Sequence, residues 1–233
     1  MNQRNEFAVE VSDLVKVYRT GSVRFTALDR VSLRVKRGEI VSIVGPSGSG
    51  KTTLLNLIGL LDKPTRGTIF IDGIEASRLD EDRKSIIRNR KIGFVFQAYN
   101  LIHRLTALEN VQLPLIASGM APNKRRQLAE KMLTSVGLAS KFFNHPYELS
   151  AGEQQRVAIC RALVTDPTLI LGDEITGNVD TKTSAQIMEL LKEINRTAGR
   201  TFVLVTHNPE LARQAHRIVH LIDGVIEREE VLN

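Results

Sequence analysis

The chain has little cysteine and no long apolar run. Among its 233 residues there is one cysteine, Cys160, so no intrachain disulfide can form. Cys160 falls among apolar residues of an expected helix and reads as a small buried hydrophobe rather than a reactive thiol. The longest apolar stretch, LLNLIGLL at 54–61, is too short to span a bilayer. The N-terminal MNQRNEFAVEVSD has no apolar run and no signal-peptide character. No internal repeat, heptad run or low-complexity segment occurs. His103, His145, His216 and His220 lack the paired spacing of metal ligands. These absences exclude a disulfide scaffold and a membrane-spanning chain. They leave a protein expected in the cytosol unless something else holds it to a membrane. Few residues follow Gly224, so no accessory C-terminal domain is expected.

What is present is ordinary in bulk, with 42% hydrophobic and 25% charged residues. The length admits one large domain, or a core carrying an inserted lobe. Lys and Arg outnumber Asp and Glu, 32 to 26, for a net charge of +6. Such an excess suits nucleotide phosphates, nucleic acid or an anionic membrane surface, and does not choose among them. Alternating apolar residues predict strands at 8–18 and 31–39, each with one exposed face. Continuous apolar runs at 40–45 and 92–97 read as buried strands, with a short strand at 67–73 and further strands at 168–173, 201–207 and 217–224. A helix follows the first of these runs, from Lys51 to Leu61. From about 98 to 164 the pattern is helical; Leu128, Met132, Leu133 and Val136 share a face of 123–137, with Gly137 as its cap and Met132 as core filler. Strands separated by helices indicate an α/β core over 1–97 and 165–233, interrupted by an α-helical insertion at 98–164.

The stretch GPSGSGKT (45–52) fits G-x-x-x-x-G-K-[ST] between an expected buried strand and a helix. The glycines let successive backbone N–H groups converge on phosphate oxygens, Lys51 supplies a point charge, and the Thr52 hydroxyl suits Mg²⁺. LILGDE (169–174) ends an apolar strand on Asp173, a second candidate for Mg²⁺, and on Glu174, which is placed to reach an attacking water. Gln97 and His207 each end an apolar strand; Gln97 is a candidate for the metal or the water, and His207 for the γ-phosphate. Further along, LSAGEQQRVAICRAL (149–163) sets Ser150, Ala151 and Gly152 ahead of a helix that otherwise looks like packing. It reads as a helix start with free N–H groups, which is an anion site.

In order and spacing the chain resembles the nucleotide-binding subunit of an ATP-binding cassette (ABC) transporter over nearly its whole length. GPSGSGKTT resembles the Walker A motif, FQ at 96–97 the Q-loop, LSAGEQQR the signature, LILGDE Walker B, GNVD at 177–180 the D-loop, and TH at 206–207 the switch histidine. The resemblance implies the ABC ATPase fold, a P-loop NTPase core with an antiparallel β subdomain and an inserted α-helical signature subdomain. It implies that ATP and Mg²⁺ are held by Gly45, Pro46, Ser47, Gly48, Ser49, Gly50, Lys51, Thr52 and Thr53, together with Gln97 and Asp173. Tyr18 matches the aromatic that stacks on adenine. Two copies would pack head to tail, so that Ser150, Gly152 and Glu153 of one close on the γ-phosphate held by the other, with Asp180 crossing the interface. Glu174 would polarise the water, His207 would position it, and Lys51 would stabilise the developing charge.

Three positions depart from the family pattern: Ala151 for the commoner glycine, Gly172 for alanine, and Ile175 for proline. Ile175 is expected to loosen the turn carrying Glu174 and to slow turnover. The string GFVFQAYNLIHRLTALENVQLPL (93–115), with GLLDKPTRGTIFIDG and GNVD, resembles lipoprotein-release and macrolide-export ATPases. Those act with a separate integral membrane permease, so the chain is expected at the inner face of the cell membrane, with no nucleic-acid partner. Polar amino-acid importers carry a related string and remain the alternative. A non-transport ABC ATPase of DNA repair or translation is less favoured, because the chain lacks heptads and tandem cassettes.

Overall fold

The structure, a computed structural model, describes residues 6–232, with the backbone alone at Thr20. Residues 1–5 of the stretch inspected for a signal peptide lie outside the described residues. Two sheets organise the chain. The first strand, β1 (Phe7–Thr20), turns at Gly21 into β2 (Val23–Lys36), and the hairpin joins β4 (Arg66–Ile71) and β5 (Ile74–Glu75) in the antiparallel order β2-β1-β4-β5. Val9, Val11, Val31, Leu33 and Val35 bury one face of this sheet, as the alternation required. The second strand begins well before the expected residue 31. Its first four residues, Val23 and Phe25 among them, are all exposed and carry no period-two signal.

The second sheet has the order β10-β9-β3-β8-β7-β6. Its strands β3 (Ile40–Val44), β6 (Ile92–Phe96), β7 (Leu169–Asp173), β8 (Thr201–Val205) and β9 (Arg217–Ile222) run parallel, and β10 (Val225–Val231) closes one edge antiparallel. Covered on both faces, these strands bury side chains continuously, so they read as apolar runs. Helix α1 (Lys51–Ile58) follows β3. It stops at Gly59 and left-handed Leu60, earlier than the apolar run suggested. Helices α2 (Glu81–Lys91), α6 (Thr181–Ala198) and the short α7 (Pro209–Ala212) complete this part of the chain.

Between β6 and β7 lie α3 (Ala107–Ala117), α4 (Pro122–Ser135) and α5 (Ala151–Leu163). Leu108, Val111, Leu115, Leu133, Val157 and Cys160 form their common core, and burial pushes the Cys160 thiol far above its ordinary pKa. Leu133 is fully buried, while Leu128, Met132 and Val136 pack partly buried beside it, and Gly137 follows the helix with φ 77°. Asn110 is fully buried and saturates the preceding loop, accepting from Ile102 N and donating to the carbonyls of Ile102, Leu105 and Thr106. Helix α5 lies so close to β6 that a Cβ on Gly93 would stand 2.2 Å from the Ala162 carbonyl oxygen. Among the described residues no helix is long and apolar enough to cross a membrane.

Candidate functional site: a phosphate cleft at the ends of the parallel strands

Strands β3, β6, β7 and β8 end side by side, so the residues that follow each one meet at a single edge of the sheet, where α/β proteins bind ligands. Gly45, Ser47, Gly48, Ser49, Gly50, Lys51, Thr52 and Thr53 line a cleft of about 520 Å³ there, with Gln97, Asp173, Glu174 and His207. Two glycines of the loop are required by the close approach of backbone carbonyls. A Cβ on Gly45 would stand 2.0 Å from the Leu221 carbonyl oxygen, and one on Gly50, which has φ 100°, would stand 2.5 Å from that of Ala27. Gly50 is also the N-cap of α1. It offers no side-chain cap, and no acidic residue sits in the first turn, so the helix start keeps its N–H donors and positive dipole end for an anion.

Lys51 is largely buried, and its Nζ donates to the carbonyls of Gly45 (2.9 Å) and Pro46 (2.8 Å). That pair of bonds folds the loop over its own lysine and holds the ammonium inside the cleft. Pro46 contributes its carbonyl and is not part of the cleft lining. Ser49 is 2% exposed, and its Oγ has no partner among the described residues, a polar atom left for something the cleft receives.

Asp173 ends β7 beside the Thr52 hydroxyl. Burial raises its pKa above the ordinary carboxylate value and the neighbouring Glu174 charge adds to this, while the Thr52 hydrogen bond and Lys51 oppose it. A half-buried carboxyl group next to a hydroxyl is a hard-oxygen pair suited to a divalent cation. No cluster of three or more His, Cys, Asp or Glu side chains that could hold a metal exists among the described residues. Glu174 is left-handed (φ 49°), donates from its N–H to Val205 O at 3.0 Å, and pairs its carboxylate with His207 Nδ1. His207 therefore rests on Glu174. Gln97 lies against Gly177, where a Cβ would come 2.8 Å from its Nε2, and its carbonyl accepts from Asn178 Nδ2 at 2.8 Å.

Several sequence-derived candidates lie outside this cleft lining. Tyr18 donates its hydroxyl to Asp62 at 2.9 Å and carries the Lys16 ammonium over its ring at 4.7 Å. Its cross-strand partner Phe25 lines the cleft with Ala27. Sequence reasoning missed Phe25 because nothing in the exposed start of β2 marks it.

The signature segment also differs from expectation. Its helix start is partly engaged: Ser150 Oγ accepts from Glu153 N (3.3 Å), and the Glu153 carboxylate accepts from Ser150 N (2.8 Å), a complete capping box. The Ser150 N–H holds the Glu153 carboxyl below its usual pKa. Gly152 is buried, and a Cβ there would strike Thr183 of α6 at 2.7 Å, so packing within this chain already requires the glycine. Asp180 caps α6 by accepting from Thr183 N at 3.0 Å and from the Thr183 hydroxyl. Ile175, expected to loosen the turn, is seated in the core beneath it. It is 6% exposed and sits in the core with Leu204, Met188 and Leu211.

A family model described as ABC transporter matches residues 28–177, more than half of the chain. The chain belongs to the ABC transporter family. It is an ATP-binding, ATP-hydrolysing subunit of that family, with Mg²⁺ as the accompanying ion. It is 51% identical to the uncharacterized ABC transporter ATP-binding protein MJ0796 of Methanocaldococcus jannaschii, over 96% of this chain and 97% of that protein. It is 49% identical to the lipoprotein-releasing system ATP-binding protein LolD of Bordetella avium, over 93% and 94% respectively. It is 45% identical to the macrolide export ATP-binding/permease protein MacB of Syntrophobacter fumaroxidans, over 95% of this chain but 31% of that longer one. The dimeric post-hydrolysis structure of the MJ0796 cassette, bound to ADP and Pi, superposes with a TM-score of 0.89 at 50% identity, covering 97% of this chain and 99% of that one.

Proposed function

We propose that this ATPase works as a head-to-tail pair of identical chains driving a separate membrane permease of the lipoprotein-release or macrolide-export type. The carrying observation is that the cleft is built from P-loop, Gln97, Asp173, Glu174 and His207, while Ser150 and Asp180 of the same chain lie outside it. Ser150 Oγ accepts its cap bond and keeps its hydroxyl proton to donate, so a second copy would bring that donor to the γ-phosphate. The dimeric MJ0796 cassette supports this arrangement.

In this reading the backbone N–H groups of residues 47–53 and the Lys51 ammonium hold the phosphates. Phe25 and Tyr18 flank the base on the hairpin side. Glu174 polarises the attacking water, and His207 orients the Glu174 carboxylate and reaches the γ-phosphate as the cleft fills. Thr52 and Asp173, with Gln97, would hold a Mg²⁺ that neutralises charge on the β- and γ-phosphate oxygens. Asp180, at the start of α6, would meet the partner copy.

A second groove of about 450 Å³, lined by Leu61, Arg88, Asn89, Phe96, Leu113 and Arg161, lies beyond Phe96. It suits a short helix of a permease and would hold the chain at the inner membrane face. The identity to LolD and MacB favours this assignment over polar amino-acid import. The permease would select the cargo. Glu174→Gln tests the reading on a sizing column. ATP is expected to convert the variant from monomer to stable dimer while hydrolysis collapses; a variant that stays monomeric at saturating ATP contradicts it.

A further inference from the structure

We propose that Gly172 and Ile175 act as one positioning unit for Glu174, the missing side chain of the first being the seat of the second. The proposal rests on the reading of Glu174 as the residue that polarises the attacking water. Gly172 is not among the residues with left-handed backbone, so its conformation does not demand glycine. Space does. A Cβ at Gly172 would stand 2.7 Å from Ile175 Cγ2 and 2.8 Å from Leu204 Cδ2. The leucine methyl ends a flexible side chain. The isoleucine Cγ2 branches directly from Cβ and has little rotamer freedom, so displacing it displaces the backbone of Ile175.

That backbone is bonded to Glu174, whose left-handed conformation is held by Glu174 N to Val205 O (3.0 Å) and by Gly177 N to Glu174 O (2.9 Å). Beneath the turn, Ile175 is 6% exposed and packs into the cluster containing Leu204, Ile187 and Met188. The turn is thus pinned by hydrogen bonds above and by one β-branched side chain below, and the pin fits because position 172 carries no methyl. The two departures from the family pattern at 172 and 175 are one feature.

The test compares Gly172→Ala, Ile175→Ala, Ile175→Val and the doubles Gly172→Ala/Ile175→Ala and Gly172→Ala/Ile175→Val. The readouts are kcat for ATP hydrolysis, affinity for a fluorescent ATP analogue, and Tm. Gly172→Ala should lower kcat by about tenfold, since small misplacements of a catalytic group carry large rate costs, with nucleotide affinity unchanged. In the Ile175→Ala background, where Cγ2 is gone, the same substitution should cost nothing further. In the Ile175→Val background, which keeps Cγ2, it should cost as much as in the wild type.

Wild-type kcat in Gly172→Ala overturns the proposal. So does a loss in Gly172→Ala/Ile175→Ala equal to both single losses combined, or a change confined to Tm. If Gly172→Ala alone does not fold, the doubles decide: recovery with Ile175→Ala but not with Ile175→Val supports the seat, and failure of both overturns it. Glu174→Gln in the wild-type background separates the two levels of the account. Normal hydrolysis there sinks the role of Glu174 itself, whereas collapse there beside a normal Gly172→Ala sinks only the positioning unit.

Discussion

Helices α1 and α5 both begin in a motif that reads in the sequence as an anion site, and they begin in opposite ways. Helix α1 starts on Gly50 with no side-chain cap and no carboxylate in its first turn, and a buried lysine is folded back under the loop ahead of it. Helix α5 starts on a closed capping box, with Glu153 at its N-terminus and Lys141 3.7 Å away. The first helix end leaves its donors unspent, at some cost to local stability, and is therefore an anion site by itself. The second has spent part of its donors within its own chain. What it keeps to offer is a hydroxyl proton, so in the proposed pair it would serve as the second half of a site.

The contrast is sharpest for the acidic residues. Asp173→Asn should abolish Mg²⁺-dependent hydrolysis, and in the absence of nucleotide it should raise Tm, because a carboxylate that burial disfavours is replaced by a neutral isostere. Melting curves without ATP, beside ATPase assays, check both halves. A lowered Tm would mean that the Thr52 and Lys51 contacts outweigh the burial.

Ser150→Ala acts at the other helix end. Loss of the cap should cost about 1 kcal/mol of stability, visible as a shifted denaturant midpoint, and should weaken the ATP-dependent dimer while leaving nucleotide binding by the isolated chain intact. Loss of nucleotide binding would put Ser150 in its own chain's site and break the comparison.

The smallest effect is in acid titration, where the two ends have opposite signs. Glu153 and Asp180 titrate below the ordinary range, chiefly through hydrogen bonds from Ser150 and Thr183, so their capping is complete above that range and is lost as pH falls through the lowered values. Asp173 titrates above it, so its penalty is present at neutral pH and is relieved as pH falls through the raised value. Tm measured against pH should therefore lose its acid-side decline in part in Glu153→Gln, and its near-neutral penalty in Asp173→Asn.

The phosphate-binding end was legible because its signals are local. A buried strand reads as an apolar run, and the polar residue just past its end, whether Gln97, Asp173 or His207, falls at the sheet edge by geometry. Other features depend on what lies across space. Helix α2 is charged along almost its whole length and buries only Lys84 and Ile87, so no apolar period marks it; its start is set by Asp80, which caps Arg83 N at 2.8 Å. Strand β10 is exposed along nearly every residue and exists through pairing with β9. The glycines at 152 and 172 were visible as residues, but their reasons, Thr183 and Ile175, come from packing. The seating of Ile175 in the core was hidden for the same cause.

The central claim, that one ATP is held by the P-loop of one chain and the signature of another, is tested most directly by mixing two disabled variants. Lys51→Ala removes the P-loop cation, and Ser150→Phe blocks the signature. Each variant alone should hydrolyse ATP at background, and an equimolar mixture should regain activity, because a mixed pair rebuilds one site from the intact P-loop of one chain and the intact signature of the other. A mixture no more active than the sum of its two components would contradict the account.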